Sequence, residues 1–175
     1  MNTFEPFETS DGQCVTLRAV TENDAHLLVA LFRSLSSETK RLRYNANMDS
    51  ISEEVIDRES KRLSHLDPEL EFALIAFDGE LEDEEPIAVA RFARLSKDAP
   101  EAEVAIVIRD DFQAKGLGRH LLKTLGTVAC RAGIKHFIFQ TTSDNRAMVK
   151  LVKDVWSDVE IETQQHDREI WATIC

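Results

Sequence analysis

Residues 111–120 read Asp-Phe-Gln-Ala-Lys-Gly-Leu-Gly-Arg-His, and this stretch decides the fold. An apolar run, Val104–Ile108, precedes it, and an amphipathic run, Leu121–Ala132, follows it. The pattern predicts a strand that leads into a tight glycine turn, after which a helix begins. The N-terminus of a helix presents unpaired N–H groups and the positive end of the helix dipole. Because both attract anions, we expect a pyrophosphate-binding turn here.

Three phosphate-binding patterns compete for this turn. A Walker loop needs Gly-Lys followed by Ser or Thr, whereas Gly118 is followed by Arg119 and His120. A dinucleotide-binding turn needs three glycines and an acidic residue about twenty positions later, and the sequence has neither. The third pattern, Gln/Arg-x-x-Gly-x-Gly/Ala, fits at Gln113, Gly116 and Gly118.

These residues, together with an ordered set around them, resemble the GNAT superfamily of acyl-CoA-dependent N-acetyltransferases. Residues 102–112 resemble the central strand of the family and the approach to its pyrophosphate loop. Residues 133–148 resemble the next strand and helix start, and residues 15–24 resemble the opening strand and helix cap. Residues 34–44 resemble a segment of the protein-lysine acetyltransferase branch. The resemblance therefore covers nearly the whole chain.

The resemblance implies an α+β fold, in which helices flank a central, mostly antiparallel, mixed β-sheet that is splayed near the turn. A chain of 175 residues fits a single domain, so we expect residues 1–175 to form one N-acetyltransferase domain. Hydrophobic periodicity predicts strands at 15–20, 72–77, 87–92, 159–163 and 169–174, and helices at 21–35, 52–66 and 121–132. The acidic run 78–86 lacks the spacing of cation ligands and predicts a solvated hairpin tip.

The composition narrows the classes of function. A formal net charge of −11 argues against a nucleic-acid binder, which needs a basic surface. The sequence has no apolar run of membrane-spanning length and no secretory signal, so we expect a cytoplasmic protein without a membrane partner. Cys14, Cys130 and Cys175 are widely spaced and odd in number, which predicts reduced, mostly buried thiols rather than a disulfide. The histidines show no metal-ligand spacing, and we expect no metal.

The resemblance also implies acetyl-CoA as the co-substrate and assigns residues to it. Those residues are Ile106, Val107 and Ile108 of the central strand, Gln113, Ala114, Lys115, Gly116, Leu117, Gly118 and Arg119 of the turn, and Asn145 before the last helix. An alternative role for Asn145 is helix capping. The basic residues expected to meet the phosphates of the ligand are Arg109, Lys115, Arg119, His120 and Lys123.

Acetyl transfer to an amine needs a base for the ammonium, stabilisation of the oxyanion, and protonation or release of the departing thiolate. Glu103, an acidic residue in an apolar strand, is the predicted base, and we expect its carboxylate to be partly buried; the alternative is that it simply points to water. By resemblance, the N–H of Ile108 is the predicted oxyanion donor. Val152 stands where many relatives carry a tyrosine acid, and Tyr44, the single tyrosine, is far upstream.

Two classes of function follow. The first is an N-acetyltransferase for a primary amine, either a protein lysine or a small-molecule amine. The second is a non-catalytic acyl-CoA-binding sensor, which the missing tyrosine favours. The sequence leaves open the acceptor, the length of the acyl group and the oligomeric state, and a homodimer is compatible with it.

Overall fold

An eight-stranded β-sheet organises the chain in a computed structural model, which describes residues 4–79 and 85–175. The strands are β1 (Phe7–Glu8), β2 (Cys14–Ala19), β3 (Glu71–Asp78), β4 (Pro86–Arg94), β5 (Glu101–Ile108), β6 (His136–Thr142), β7 (Val159–Gln164) and β8 (Asp167–Thr173). Their order across the sheet is β1-β2-β3-β4-β5-β6-β8-β7. Neighbouring strands are antiparallel except for β5 and β6, which are parallel. The predicted mixed, mostly antiparallel sheet is confirmed.

Five helices flank the sheet in the described part of the chain. They are α1 (Ala25–Ser34), α2 (Ser37–Tyr44), α3 (Glu53–Ser64), α4 (Leu117–Arg131) and α5 (Arg146–Val155), with short 3-10 turns at Glu22–Asp24 and Asp110–Phe112. The periodicity at 21–35 had predicted one continuous helix. The structure instead begins that segment with a 3-10 turn, ends α1 at Ser34 and starts α2 as a separate helix.

Both faces of the central strands are buried, which explains their continuous apolar runs. Along β3, Leu74 and Ala76 pack into the core that contains α4, whereas Ala73, Ile75 and Phe77 pack into a second core that contains α1. Because side chains alternate along a strand, one strand serves both cores. Helices α4 and α5 thus cover one face of the sheet, and α1 and α3 cover the other.

The two central strands separate before either of them ends. The β5–β6 ladder runs from Glu101↔His136 to Val104↔Phe139. Strand β5 stays paired with β4 as far as Ile108, while β6 stays paired with β8 as far as Thr142. Beyond Val104, therefore, a wedge-shaped gap opens between β5 and β6. This is the splay that the family resemblance implies.

A buried ion pair joins β2 to the start of α1. Arg18 donates hydrogen bonds of 2.6 and 2.8 Å to the two carboxylate oxygens of Asp24, and the N–H of Thr21 donates a third, of 2.7 Å. Burial by itself would raise the pKa of Asp24, but the bonds from Arg18 and Thr21 outweigh it and hold that pKa below its usual value. Thr21 and Asp24 also form a capping box at the start of this segment.

The prediction of three reduced, mostly buried thiols was wrong. Cys130 and Cys175 form a disulfide, with an S–S distance of 2.15 Å and Cα atoms 6.0 Å apart, and Cys14 is exposed. Cys130 lies in the last turn of α4, and Cys175 follows β8. The packing of α4 on the sheet brings the two residues together, and a sequence separation of 45 gives no sign of it.

The hairpin predicted between β3 and β4 is present, with Phe77 paired to Pro86. Its acidic tip, 80–84, lies outside the described residues. Over the described ranges, no helix combines the length and the apolar character needed to cross a bilayer.

Reduction of the disulfide should lower the free energy of unfolding by about 2–4 kcal/mol, because the unfolded chain is no longer closed into a long loop. Urea titrations with and without a thiol reductant measure this difference. Cys130→Ser should show the same loss without reductant, and Cys14→Ser should leave the unfolding midpoint in place. If the reductant leaves the unfolding midpoint of the wild type unchanged, the Cys130–Cys175 disulfide is contradicted.

Candidate active site

The splay leaves backbone donors of β5 without a strand partner. The N–H of Arg109 donates to the carbonyl of Ile87 on β4, at 2.7 Å. Because N–H groups alternate between the two sides of a strand, those of Ile106 and Ile108 point to the opposite side, into the gap beyond the β5–β6 ladder. The N–H of Val107 points to β4 instead. Ile106 and Ile108 are thus placed to donate to a ligand, and Val107 contributes a side chain.

The glycine turn lies at the mouth of this gap. Ala114 and Gly116 both have left-handed backbones, with φ of 57° and 89°. Gly116 immediately precedes Leu117, the first residue of α4, so the unpaired N–H groups of the first helical turn gather at this point. A cradle of N–H groups at a helix N-terminus suits a pyrophosphate.

The two glycines of the turn are needed for different reasons. At Gly116 the positive φ excludes most side chains, and a Cβ would also lie 3.3 Å from Phe7 Cζ. Gly118 is buried, and a Cβ there would lie 3.2 Å from the side chains of Ile108 and Leu151. Gly118 therefore lets α4 approach β5 and α5 closely.

The β1–β2 hairpin supports the turn from the N-terminal side. The N–H of Ser10 donates to the carbonyl of Lys115, at 3.1 Å. The Lys115 ammonium contacts Asp11 at 2.6 Å and donates to Gln13 at 2.7 Å. Its hydrogen bond holds the pKa of Asp11 below the usual range. Lys115 is thus engaged by the hairpin rather than directed at a phosphate.

Arg109 is likewise engaged by neighbouring acids. Its guanidinium donates to both carboxylate oxygens of Asp111, at 2.7 and 2.9 Å, and to Glu85, at 2.6 Å. The expectation that Arg109 and Lys115 meet the phosphates is therefore not supported by their contacts.

His120 packs against the hairpin instead of presenting a charge. Its ring stacks on Phe7 with centroids 4.6 Å apart. Burial lowers the pKa of His120 from 6.5, with nearby Glu5 opposing and Lys123 adding to the shift. The imidazole is therefore neutral near pH 7. Arg119 and Lys123 are exposed and stay the candidate cations for the phosphates.

Helix α2 is tied to the loop that follows β5. The backbone N–H and hydroxyl of Ser36 donate to Asp110, at 3.0 and 2.6 Å, and the Thr39 hydroxyl donates to the same carboxylate, at 2.8 Å. Gln113 donates to Thr39, at 3.1 Å, and to the carbonyl of Ile108, at 2.9 Å. Burial would raise the pKa of Asp110, but the bonds from Ser36 and Thr39 hold it below its usual value.

The other side of the gap is also tied to α2. Arg41 donates to Asp144, in the turn after β6, at 2.9 Å. It forms two further hydrogen bonds with Glu38, within α2, at 2.9 and 2.8 Å. Helix α2 therefore bridges the loops that follow β5 and β6. None of its residues is buried, and these polar contacts hold it in place together with the packing of Tyr44 against Phe32 of α1.

A small pocket lies between α2 and the sheet. Its volume is about 40 Å³, and it is lined by Arg43 and Tyr44 of α2, Val89 and Arg91 of β4, Ala105 and Val107 of β5, and apolar side chains of α1. Sequence reasoning had missed Arg43 and Arg91 and had set Tyr44 aside as too distant. Arg91 did carry a signal, because it is the single charged residue in the apolar run 87–92.

Glu103 lies on the same face of β5 as Ala105 and Val107. The expectation of partial burial was wrong, since its side chain is exposed. Helices α1 and α2 cover Ala105 and Val107 but do not extend over Glu103. The carboxylate is nevertheless close enough to Arg43 to influence that guanidinium electrostatically.

Asn145 acts as the N-cap of α5. Its side-chain oxygen accepts from the N–H of Met148, at 3.0 Å, and its amide donates to the Thr141 hydroxyl, at 2.8 Å. The capping alternative is therefore present in the structure, while a contact with the ligand stays a prediction. Val152, about two turns further along α5, is fully buried in the core and offers no proton.

Within residues 4–79 and 85–175, no group of three or more His, Cys, Asp and Glu side chains is arranged to hold a metal ion.

Comparison with known proteins decides the family. A family model described as an acetyltransferase (GNAT) domain matches residues 15–155. The chain belongs to the GNAT family. It is an N-acetyltransferase, an enzyme of the class that transfers an acyl group from acyl-CoA to an amine.

Individual relatives agree with this assignment. The GNAT domain of S. lividans PAT superposes with a TM-score of 0.84 at 25% identity, over 97% of this chain and 96% of that one. An acetyltransferase of Pseudomonas aeruginosa is 28% identical over 141 residues, which cover 79% of this chain and 72% of the relative. The acetyltransferase Pat of Mycolicibacterium smegmatis is 39% identical over 66 residues, which cover 38% of this chain and 20% of that protein.

Gly116→Ala should weaken acetyl-CoA binding about tenfold or more, because the turn must move and a charge-assisted N–H contact is lost. It should also destabilise the fold by about 1–2 kcal/mol. Gly133→Ala is a matched control, since Gly133 has φ of 82° at the far end of α4 with nothing near its Cβ. Calorimetric titration with acetyl-CoA should separate the two variants, whereas urea unfolding should not. Equal affinities would place the phosphates elsewhere.

Acidification should destabilise the fold through His120. Its folded pKa is lowered from 6.5, so the unfolded chain takes up the proton first and stability falls as the pH drops below that value. His120→Phe keeps the stacking and should lose less stability than the wild type between about pH 7.5 and 5.5. His166→Phe, at an exposed site, should keep the wild-type dependence in urea titrations. Identical pH dependence in all three would assign the effect to other groups.

Proposed function

We propose that the chain transfers an acetyl group from acetyl-CoA to a primary amine, with Glu103 as the general base. The observation that carries the proposal is the wedge between β5 and β6, where the N–H groups of Ile106 and Ile108 point toward the gap. A glycine turn at a helix N-terminus lies at the mouth of the same gap. Together they match a ligand that has an amide-bearing arm and a pyrophosphate.

The residues present suit acetyl-CoA as the co-substrate. The pantetheine arm would extend β5 as an additional strand-like partner in the wedge, using Ile106 and Ile108. The pyrophosphate would take the N–H groups around residues 116–119, and Arg119 would add a positive charge at an exposed position. When bound, acetyl-CoA supplies the thioester that is attacked.

The chemistry requires direct attack by the amine. The amine nitrogen bonds to the thioester carbonyl carbon, and the carbon–sulfur bond breaks to release the CoA thiolate. The Ile108 N–H would stabilise the oxyanion that develops on the carbonyl. Before the attack, Glu103 would accept a proton from the acceptor ammonium, so that the neutral amine is the nucleophile. Because Val152 cannot donate, the thiolate would take its proton from water.

The acceptor would be a protein lysine or a small-molecule amine. The resemblance of residues 34–44 to the protein-lysine acetyltransferase branch supports the first. The exposed position of Glu103 supports either, since an ammonium can reach it from solvent. The acidic net charge of −11 also favours the approach of cationic groups.

A second candidate function is a non-catalytic acyl-CoA sensor. The specific observation that favours it is Val152, which is buried where many relatives carry the tyrosine acid. A sensor would bind acetyl-CoA through the same wedge and turn. It would release no CoA with any acceptor.

Glu103→Gln should lower kcat by about 10²- to 10⁴-fold and leave the Kd for acetyl-CoA unchanged, because only proton transfer is lost. Glu101→Gln is the matched control, since Glu101 lies on the same face of the same strand. CoA release with a panel of amines and lysine peptides measures turnover, and titration with acetyl-CoA measures binding. Equal activity of the two variants would remove Glu103 from the mechanism. Tight binding without turnover on any acceptor would support the sensor.

A further inference from the structure

Two buried arginines on the α1 face of the sheet differ in how many of their guanidinium nitrogens have a hydrogen-bond partner. Arg18 uses both terminal nitrogens of its guanidinium to pair with Asp24. Arg91 donates to Glu71 through Nη2, whereas its Nη1 is buried and has no hydrogen-bond partner among the described residues. A buried charged donor without a partner is costly, and native structures rarely leave one without a reason. Arg91 therefore has donor capacity that the described fold does not use.

A second guanidinium faces the same pocket. Arg43 is half-buried and lies 4.9 Å above the ring of Tyr44. Within the described ranges, no carboxylate comes within the 4.0 Å of an ion pair with it. Arg43 and Arg91 thus line one cavity. Among the described residues, the one carboxylate that pairs directly with either of them is that of Glu71, which pairs with Arg91.

The arginines at the rim of the site behave differently. Arg41 and Arg109 each contact two carboxylates, and the hydrogen bonds that they donate to those carboxylates raise the pKa of both guanidinium groups. Burial lowers the pKa of Arg43 and of Arg91, and nearby acids offset only part of that effect. Both groups stay protonated near pH 7, so the pocket holds positive charge in excess.

The pocket lies beside the position where acyl transfer would occur. Ala105 and Val107 of β5 form its floor, two and four residues from Glu103 along the same face. Arg91 pairs across the strands with Ala105, so Glu103 is its diagonal neighbour on that face. A ligand that carries one anionic and one cationic group could therefore place the anionic group in the pocket and the cationic group at Glu103.

We propose that Arg43 and Arg91 bind the carboxylate of the acceptor, and that the acceptor is a small amino acid, with its amine directed to Glu103. This inference rests on the proposed acetyl transfer and names its substrate class. The cavity of about 40 Å³ has room for about three water molecules, or for one planar carboxylate in their place. Guanidinium groups bind carboxylates through paired hydrogen bonds, which would use the spare Nη1 of Arg91.

The test compares amines that differ only by a carboxylate. Phenylalanine with phenethylamine, and 6-aminohexanoate with pentylamine, are suitable pairs. For the wild type, the carboxylate-bearing member should have the higher kcat/KM in at least one pair. Arg43→Gln and Arg91→Gln should lower that value about 10- to 100-fold and leave the value for the plain amine nearly unchanged, as expected for loss of a charge-assisted hydrogen bond.

Controls keep a folding defect separate from a binding defect. Arg58→Gln removes an exposed arginine of α3 and should behave as the wild type. Since Arg91→Gln leaves Glu71 unpaired, the double variant Glu71→Gln/Arg91→Gln tests the pocket without a buried lone carboxylate. Circular dichroism and the Kd for acetyl-CoA report whether each variant keeps its fold and its co-substrate site.

The outcomes separate the two proposals. Equal kcat/KM within both pairs, or turnover confined to lysine peptides regardless of Arg43, would overturn the amino acid acceptor and leave acetyl transfer intact. In the absence of turnover with any acceptor, calorimetry with phenylalanine and 6-aminohexanoate in the presence of CoA decides the matter. Binding that Arg43→Gln weakens would keep the carboxylate pocket while the enzymatic proposal fails. No binding would overturn both.

Discussion

The early end of the β5–β6 ladder is the constraint on which the site depends. Backbone N–H groups that leave a ladder inside a protein must find another partner, because an unpaired buried donor is costly. By ending at Val104↔Phe139, the ladder leaves Ile106 and Ile108 directed into a gap. That gap is kept open by pairing on its outer sides, with β4 holding β5 and β8 holding β6. The rest of the sheet thus acts as a frame that prevents the gap from closing on itself.

Charge pairing then decides which ionic groups are available to a ligand. Around the glycine turn, acids already neutralise Arg109 and Lys115, and burial lowers the pKa of His120 so that its ring is neutral. Beneath α2 the balance is reversed, because Arg91 pairs with Glu71 while Arg43 has no carboxylate within ion-pair distance among the described residues. The number of ion-pair partners around each charged group therefore predicts ligand charge better than the net charge of −11. The net charge describes the whole chain and does not reveal the small positive region beneath α2.

Much of the fold and of the co-substrate site could be predicted from the sequence, because the elements that form them are local in the chain. The strand, glycine turn and helix at 101–131 have clear periodicity, and the family resemblance supplied the splay. Contacts across long separations could not be read. The disulfide joins residues 45 apart, and Tyr44 lines the same pocket as Val107 only because α2 folds over the sheet. The exposure of Glu103 depended on where that helix stops, and periodicity in β5 does not report it.

Helix α2 has no buried residue and is held by Asp110, Gln113 and Asp144 through polar contacts. Since such contacts are worth little individually in water, this helix can open locally at a free energy well below that of global unfolding. The position of α2 outside the hydrophobic cores also has an evolutionary consequence. If α2 lines the acceptor site as proposed, substitutions in α2 would alter which acceptor is recognised while the hydrophobic cores stay untouched, so specificity could diverge among descendants of this chain at little cost in folding stability.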